Sequence, residues 1–290
     1  MYVAAVRSDR VEPDFDPLAC VRSRGVLALT AHVADGVTRR VRVREDGALR
    51  MRFPHESRER LDAVIVNVAG GMAGGDVYDC AFEAQAGARL VVSSAAAEKV
   101  YRALGAPTRA DVRLNAGEGA HLAFLPQETI LFHGARLTRR YEIDLDATAR
   151  LVLADMVILG RTAMGETVRS LIWRDAWRLR RGGALVWADA TRIEGDAAAA
   201  LASPATGGGA CALATVLYAA PDAAERLAPL REALAASPGC EAAATAFDGL
   251  IVARIVAHEG HRARAAVVRA LSGLYSGGLQ GGALPRSWST

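Results

Sequence analysis

Along much of this chain apolar residues return at every second position, the period of a strand with one buried face. Tyr78, Cys80 and Phe82 alternate with Asp79, Ala81 and Glu83, and Val41 and Val43 alternate with Arg40, Arg42 and Arg44. The cleanest case runs from Leu137 to Asp146. Leu137, Tyr141, Ile143 and Leu145 share one face, Thr138, Arg140, Glu142, Asp144 and Asp146 the other, and Arg139 is the one exception. Ala63 to Val66 reads as a buried strand leading into two glycine pairs, Gly70-Gly71 and Gly74-Gly75, and then Asp76. Paired glycines allow positive φ and close backbone approach, so the stretch predicts strand, tight turn, strand. Asp46-Gly47 predicts a hairpin between the Val41/Val43 strand and a strand over Ala48 to Phe53, with a polar loop from Pro54 to Arg60. Strands continue from Asp76 to Trp187, and Thr245 to Val256 reads as one more.

A weak repeat runs through this region. Ala88-Arg89-Leu90, Ala120-His121-Leu122 and Ala149-Arg150-Leu151 each open a strand, at steps of 32 and 29 residues. Stacked β units that cover one another's apolar faces have this spacing. Helical period is confined to the C-terminal part. Arg262 to Tyr275 is the strongest helix, with Val267, Val268, Leu271, Leu274 and Tyr275 on one side and Gly277-Gly278 as its end signal. A second helix starts near Asp222, where Glu225 completes a capping-box pattern; Pro229 predicts a kink or restart before Leu230 and Leu234. Gly207-Gly208-Gly209 marks a break before the apolar run Ala212 to Tyr218. The reading is a mainly β fold of stacked, β-helix-like sheets with about two α-helices near the C-terminus. No linker divides residues 1–290, so a single domain is expected, with about the first twenty residues as a flexible lead.

Composition removes function classes rather than adding them. Net charge is only +3, and no basic cluster is interleaved with aromatics, so nucleic acid is not an expected partner. Arg supplies 34 of 35 basic residues, which leaves Lys99 as the only lysine. The first ten residues lack a signal-peptide core, and no apolar run approaches bilayer length, so a cytoplasmic protein without membrane attachment is expected. Cys20, Cys80, Cys211 and Cys240 lack metal or redox spacing and read as free thiols. The glycine stretch fits neither a P-loop nor a dinucleotide fingerprint. His258 and His261 read as solvated loop residues, and no nucleophile elbow or His-Glu-x-x-His occurs.

Polar residues crowd into three further apolar settings: Glu98-Lys99-Val100-Tyr101-Arg102, Pro126-Gln127-Glu128-Thr129, and Gly160-Arg161 through Gly165-Glu166. Each group there must be paired or hydrated, and ion pairs and turn caps are the plain reading of any one of them. Taken with Asn67 to Asp76 and the terminal Leu284-Pro285-Arg286 with Trp288, their order resembles the urease accessory protein family UreD, called UreH in some organisms. The chain departs at Val68 and Ala69, where many members have two prolines, at Glu98, where a threonine is common, and at Met164, where a serine is common.

The resemblance implies a scaffold and not an enzyme. Its partners would be apo-urease, the helical protein UreF and the GTPase UreG, and its cargo nickel, passed through the body with no tightly bound cofactor. Such a passage needs weak oxygen donors, since imidazole and thiolate cages would retain nickel. Asp76 and Glu166 are the expected ligands of that transient path, with Asp79 and Glu128 behind them. Gly70, Gly71, Gly74, Gly75, Lys99, Tyr101, Arg102, Pro126, Gln127, Gly160 and Arg161 are expected to carry the motif's structure. Leu271 and Tyr275 of the last helix, with Arg286 and Trp288 of the tail, are the expected docking elements. Two other readings stand beside this one: a metal-dependent hydrolase on a β scaffold using Asp76, Glu128 and Glu166, and a β-rich ligand-binding module. With aromatics at 6%, the latter is poorly furnished for carbohydrate.

Overall fold

What covers each face decides how each strand reads. The computed structural model describes residues 22–54, 60–276 and 284–288; residues 1–21, Gly277-Gly278 and most of the predicted loop at 54–60 lie outside the described residues. In chain order the first strands are β1 (Arg24–Ala34), β2 (Val37–Gly47), β3 (Leu49–Arg52), β4 (Leu61–Asn67), β5 (Val77–Ala84), β6 (Arg89–Ser94), β7 (Glu98–Val100), β8 (Thr108–Ala116) and β9 (His121–Leu125). They continue as β10 (Thr129–Leu131), β11 (Arg136–Leu145), β12 (Arg150–Leu159), β13 (Leu171–Arg181), β14 (Ala184–Gly195), β15 (Ala212–Ala219), β16 (Cys240–Phe247) and β17 (Leu250–Ala257). The helices are α1 (Ala197–Ala200), α2 (Ala223–Ala235) and α3 (Gly260–Ser276).

One sheet has the order β14-β13-β11-β8-β5-β1-β2; the other runs β16-β17-β15-β12-β9-β6-β4-β3, with β10 and β7 joined at its margin. From β4 to β13 the chain alternates between them, and the neighbours it meets in each sheet are parallel. The body is therefore a coil of stacked turns. The weak repeat is the register of that coil: Leu90 pairs with Leu122 and Leu122 with Leu151, while Ala88, Ala120 and Ala149 are fully buried at the preceding corners. On the first sheet Leu29, Phe82, Leu114, Ile143 and Leu179 form one continuous buried row.

The first sheet has one solvated face, so its strands alternate; β5 is buried at every second residue. The second sheet is covered on its far side by α2 and α3, which pack onto Val152, Ala154, Met156, Val216 and Ile255. Strands β12 and β15 are accordingly apolar on both faces and lose their alternation. Val267, Leu271 and Leu274 of α3 are buried as the helical period predicts.

Four local expectations change. Asp46-Gly47 does not close a hairpin, because β2 pairs with β1 and β3 with β4, in different sheets. Gly47 turns the chain between sheets at a position where a Cβ would lie 1.6 Å from the Arg24 carbonyl oxygen. The hairpin sits instead at Asp35-Gly36, both with positive φ, as a tight turn between antiparallel strands requires. The predicted strand from Thr245 to Val256 is itself a hairpin, β16–β17, closed by a second such pair, Asp248-Gly249. The Asp222 carboxylate accepts from no backbone N–H of α2, being taken up by Arg150, Tyr218 and Arg226, and α2 runs unbroken through Pro229. Lastly, the glycine stretch joins strands of opposite sheets, β4 and β5, and does not fold them onto each other.

Candidate functional site

Along the margin of the second sheet, β10 and β7 form a short third wall. Met72 bridges Val100, and Thr129 to Leu131 pair on one side with Glu98 to Val100 and on the other with Val157 to Leu159. Four of the five motif stretches meet this wall. Gly71 has φ +147, and a Cβ there would lie 2.4 Å from the Tyr101 ring, so the ring rests directly on the glycine backbone. The Tyr101 hydroxyl donates to the Gly70 carbonyl at 2.8 Å. Tyr101 meets Phe132 edge-on at 5.3 Å, and the Arg161 guanidinium lies 4.5 Å from the centre of the Phe132 ring. Arg161 Nε then donates to Glu166 at 2.9 Å. One column of side chains thus crosses successive turns of the coil. Arg102 packs over Gly134, Gly74 over Ala103, Gly75 against Arg22, and Gly160 against the Glu166 backbone. Lys99 lends its carbonyl to the Met72 N–H at 2.7 Å while its side chain is exposed.

The four predicted carboxylates are not brought together. Asp76, 3% exposed, accepts from the Ser23 N–H at 2.7 Å, the Ala73 N–H at 2.7 Å and the Tyr78 hydroxyl at 3.3 Å. Glu166 accepts from the backbone N–H groups of Arg161 and His133, and its hydrogen bond from the Arg161 side chain holds it below the usual carboxylate range. Alternation turns Asp79 to the outer face of its sheet, away from Tyr78 and Cys80, where it pairs with Arg113 at 2.6 Å. Glu128 pairs with Arg264 of α3 at 3.1 Å. Among the described residues no group of three or more His, Cys, Asp or Glu could hold a metal ion. A further carboxylate stands near Tyr78. Glu98 accepts from Asn67 at 3.0 and 3.1 Å, has no ion-pair partner among the described residues, and is pushed up by burial to about 7.

The largest polar feature lies inside the coil. Tyr78, Ala110, Arg139, Asp175 and Thr191 occupy one inward row across five strands. Arg139 is therefore no lapse in the alternation of β11 but a charge on its buried face. Its guanidinium donates to Asp155 at 2.8 and 2.6 Å, to Asp175 at 3.2 and 2.5 Å and to Thr129 at 3.3 Å. Tyr141 donates to Asp155 at 3.0 Å. Burial alone would lower the Arg139 pKa, but Asp155 and Asp175 hold it well above its ordinary value; burial raises Asp175. A cavity of about 80 Å³ adjoins the pair, lined by Asp155, Trp173, Asp175, Thr191, Thr215 and Arg254, and polar and roomy enough for water. Arg254 donates to Thr215 at 2.5 Å and to Asp189, which takes the row to the partly exposed end of the sheets.

The remaining motif is a latch. Gln127 donates to the Ser287 carbonyl at 3.0 Å, Arg264 donates to Gln127 at 2.6 Å and to the Ser287 carbonyl at 2.8 Å, and Trp288 donates to the Leu125 carbonyl at 2.9 Å. Arg264 also lies over the Trp288 ring at 4.9 Å. The Gln127 N–H next to Pro126 donates to Ser94. Of the predicted docking elements, Trp288 is 2% exposed and Leu271 fully buried, so neither forms a surface; Arg286 is exposed, and the Tyr275 side chain lies outside the described residues. No helix of the described residues is long and apolar enough to cross a membrane.

The sequence model of the UreD urease accessory protein matches residues 23–289. Urease accessory protein UreD 3 of Bradyrhizobium sp. strain BTAi1 is 45% identical over 285 residues, which cover 98% of this chain and 99% of that protein. The UreD of Methylobacterium sp. strain 4-46 is 47% identical over 274 residues, 93% of this chain and 95% of that one. The UreD of Rhodopseudomonas palustris strain HaA2 is 46% identical over 267 residues, 92% and 93% of the two chains. The matches span the coil, the helices and the tail that closes on them, and the chain belongs to the UreD family of urease accessory proteins.

Proposed function

We propose that this chain serves urease maturation as a scaffold which, with UreF and UreG, binds apo-urease and supports nickel insertion into the urease active site. It acts by binding and hand-over, without turnover of its own, and nickel is cargo that crosses the body on weak oxygen donors. The observation that carries the reading is the inward polar row, where two buried aspartates face one arginine. Arg254, which also lines the cavity, is matched by Asp189, so three carboxylates face two guanidiniums there, and the net negative charge favours a cation over an anion. Arg139 limits the excess to a single charge, and carboxylate, hydroxyl and water donors bind Ni²⁺ less tightly than imidazole or thiolate. Asp76 opens the row beside Tyr78 and Glu98, and its three hydrogen bonds leave acceptor capacity on its two oxygens. Asp79, Glu128 and Glu166 lie off this row, each against an arginine, and the reading gives them no metal.

Reconstitution tests it. Cells that express the urease subunits, UreF and UreG but not this chain should yield urease poor in nickel and in activity, and adding the chain should restore both. Equal nickel content with and without the chain would refute the proposal.

A further inference from the structure

The outer side of the third wall carries apolar groups that stand exposed among the described residues. Leu104 is 77% exposed, Met164 74% and Val68 59%, and Tyr101 lies among them. Isolated exposed apolar residues are ordinary, but these flank one column: Val68 lies two residues before Gly70, which accepts from Tyr101, Leu104 follows Ala103, which packs on Gly74, and Met164 closes the turn opened by Arg161 over Phe132. Lys99, Arg102 and Arg169 are exposed on the same wall and make no ion pair among the described residues. Against these three cations stands one carboxylate without an ion-pair partner, Glu98, held by Asn67, while Glu166 is taken up by Arg161 and backbone. The wall therefore shows unbalanced positive charge between apolar side chains. Where the column ends, a groove of about 330 Å³ opens between the 160–170 loop and α1, lined by Leu159, Thr162, Glu166, Val168, Leu201 and Cys211.

We infer that this wall is a docking surface for a protein partner whose contacting face is acidic and bears apolar side chains, one of them seated in the groove. A nucleic-acid backbone would satisfy the arginines but leave Leu104 and Met164 in water, so the apolar half of the surface selects protein. The inference rests on the proposed scaffold role only for its choice of probes. The charge complementarity makes association faster and salt-sensitive, and the apolar contacts hold the complex.

The test measures the affinity of the full chain for apo-urease and, separately, for UreF. Three variants are compared with the parent: Lys99→Glu/Arg102→Glu/Arg169→Glu, Leu104→Ser/Met164→Ser, and Arg40→Glu/Arg42→Glu on the exposed strand β2 as a control. Both wall variants should weaken binding to the same one of the two proteins by about tenfold or more, with the control unchanged. Parent-like binding by both wall variants would overturn the inference and leave the scaffold role standing. A parent chain that binds neither protein would overturn both. Retention of a short DNA duplex by the parent, lost in the charge variant, would reassign the wall to nucleic acid.

Discussion

Arg139→Met should lower the stability of the fold by about 3–5 kcal/mol, the usual effect of removing one member of a buried charge network. The substitution preserves much of the stem's volume but leaves Asp155 and Asp175 facing each other without a counter-charge. All five guanidinium hydrogen bonds described above are lost together, and the Thr129 hydroxyl loses its partner. The cost should shrink on acidification, because burial already pushes Asp175 towards its neutral form and its protonation removes charge that Arg139 neutralised. Arg139→Lys should recover only part of it, since one ammonium cannot serve two carboxylates in a planar fork. Arg139→Met/Asp155→Leu/Asp175→Leu should regain most of the stability, as well-packed apolar replacements of buried ion networks do. Urea unfolding at neutral pH measures all three. A loss below about 1 kcal/mol for Arg139→Met would mean that the row is open to solvent, where ion pairs contribute that little.

Trp288→Ala should have a comparable intrinsic cost of about 3–5 kcal/mol, the range for truncating a buried tryptophan. The measured loss has a ceiling, however. The tail can detach while the coil stays folded, so global stability falls by no more than the free energy of tail docking. The larger signal should be local: amide protection at Leu284 to Trp288 and in the α3 turn around Arg264 collapses, with the coil unchanged. Trp288→Phe keeps most of the packing and removes the donor to the Leu125 carbonyl, at about 0.5–1.5 kcal/mol. Hydrogen exchange followed by mass spectrometry separates the two. Unchanged tail protection in Trp288→Ala would show that Gln127 and Arg264 hold the tail without the indole.

Much of the coil was legible in the residues because its rules are local. Alternation marked β5 and β11, and the Ala-x-Leu recurrence was the stacking register itself. Arg139 stood out as an exception for a physical reason: strand period assigned it to the buried face, and only its chemistry disagreed. Asp155 carried the same signal, a lone acid within the apolar run of β12, and so did Asp175 between Trp173 and Trp177. These residues were missed as a set because three different strands supply them, and the pairing of strands distant in sequence is not a local property. The same limit hid the latch, where Gln127 meets Ser287 across 160 residues. Asp46-Gly47 misled because a turn signal specifies a change of direction, not which strands then pair. Asp76 was correctly placed at a glycine bend, but alternation alone already turned its neighbour Asp79 outward.

Asp175→Asn isolates the central claim, that an unbalanced carboxylate inside the coil lets nickel pass. The change leaves Arg139 and Asp155 as a matched pair, so folding stability should be equal to or above the parent's. In the reconstituted system the account predicts that urease matured with this stable variant contains clearly less nickel per active site than urease matured with the parent chain. Full nickel content from a stably folded Asp175→Asn protein would contradict it.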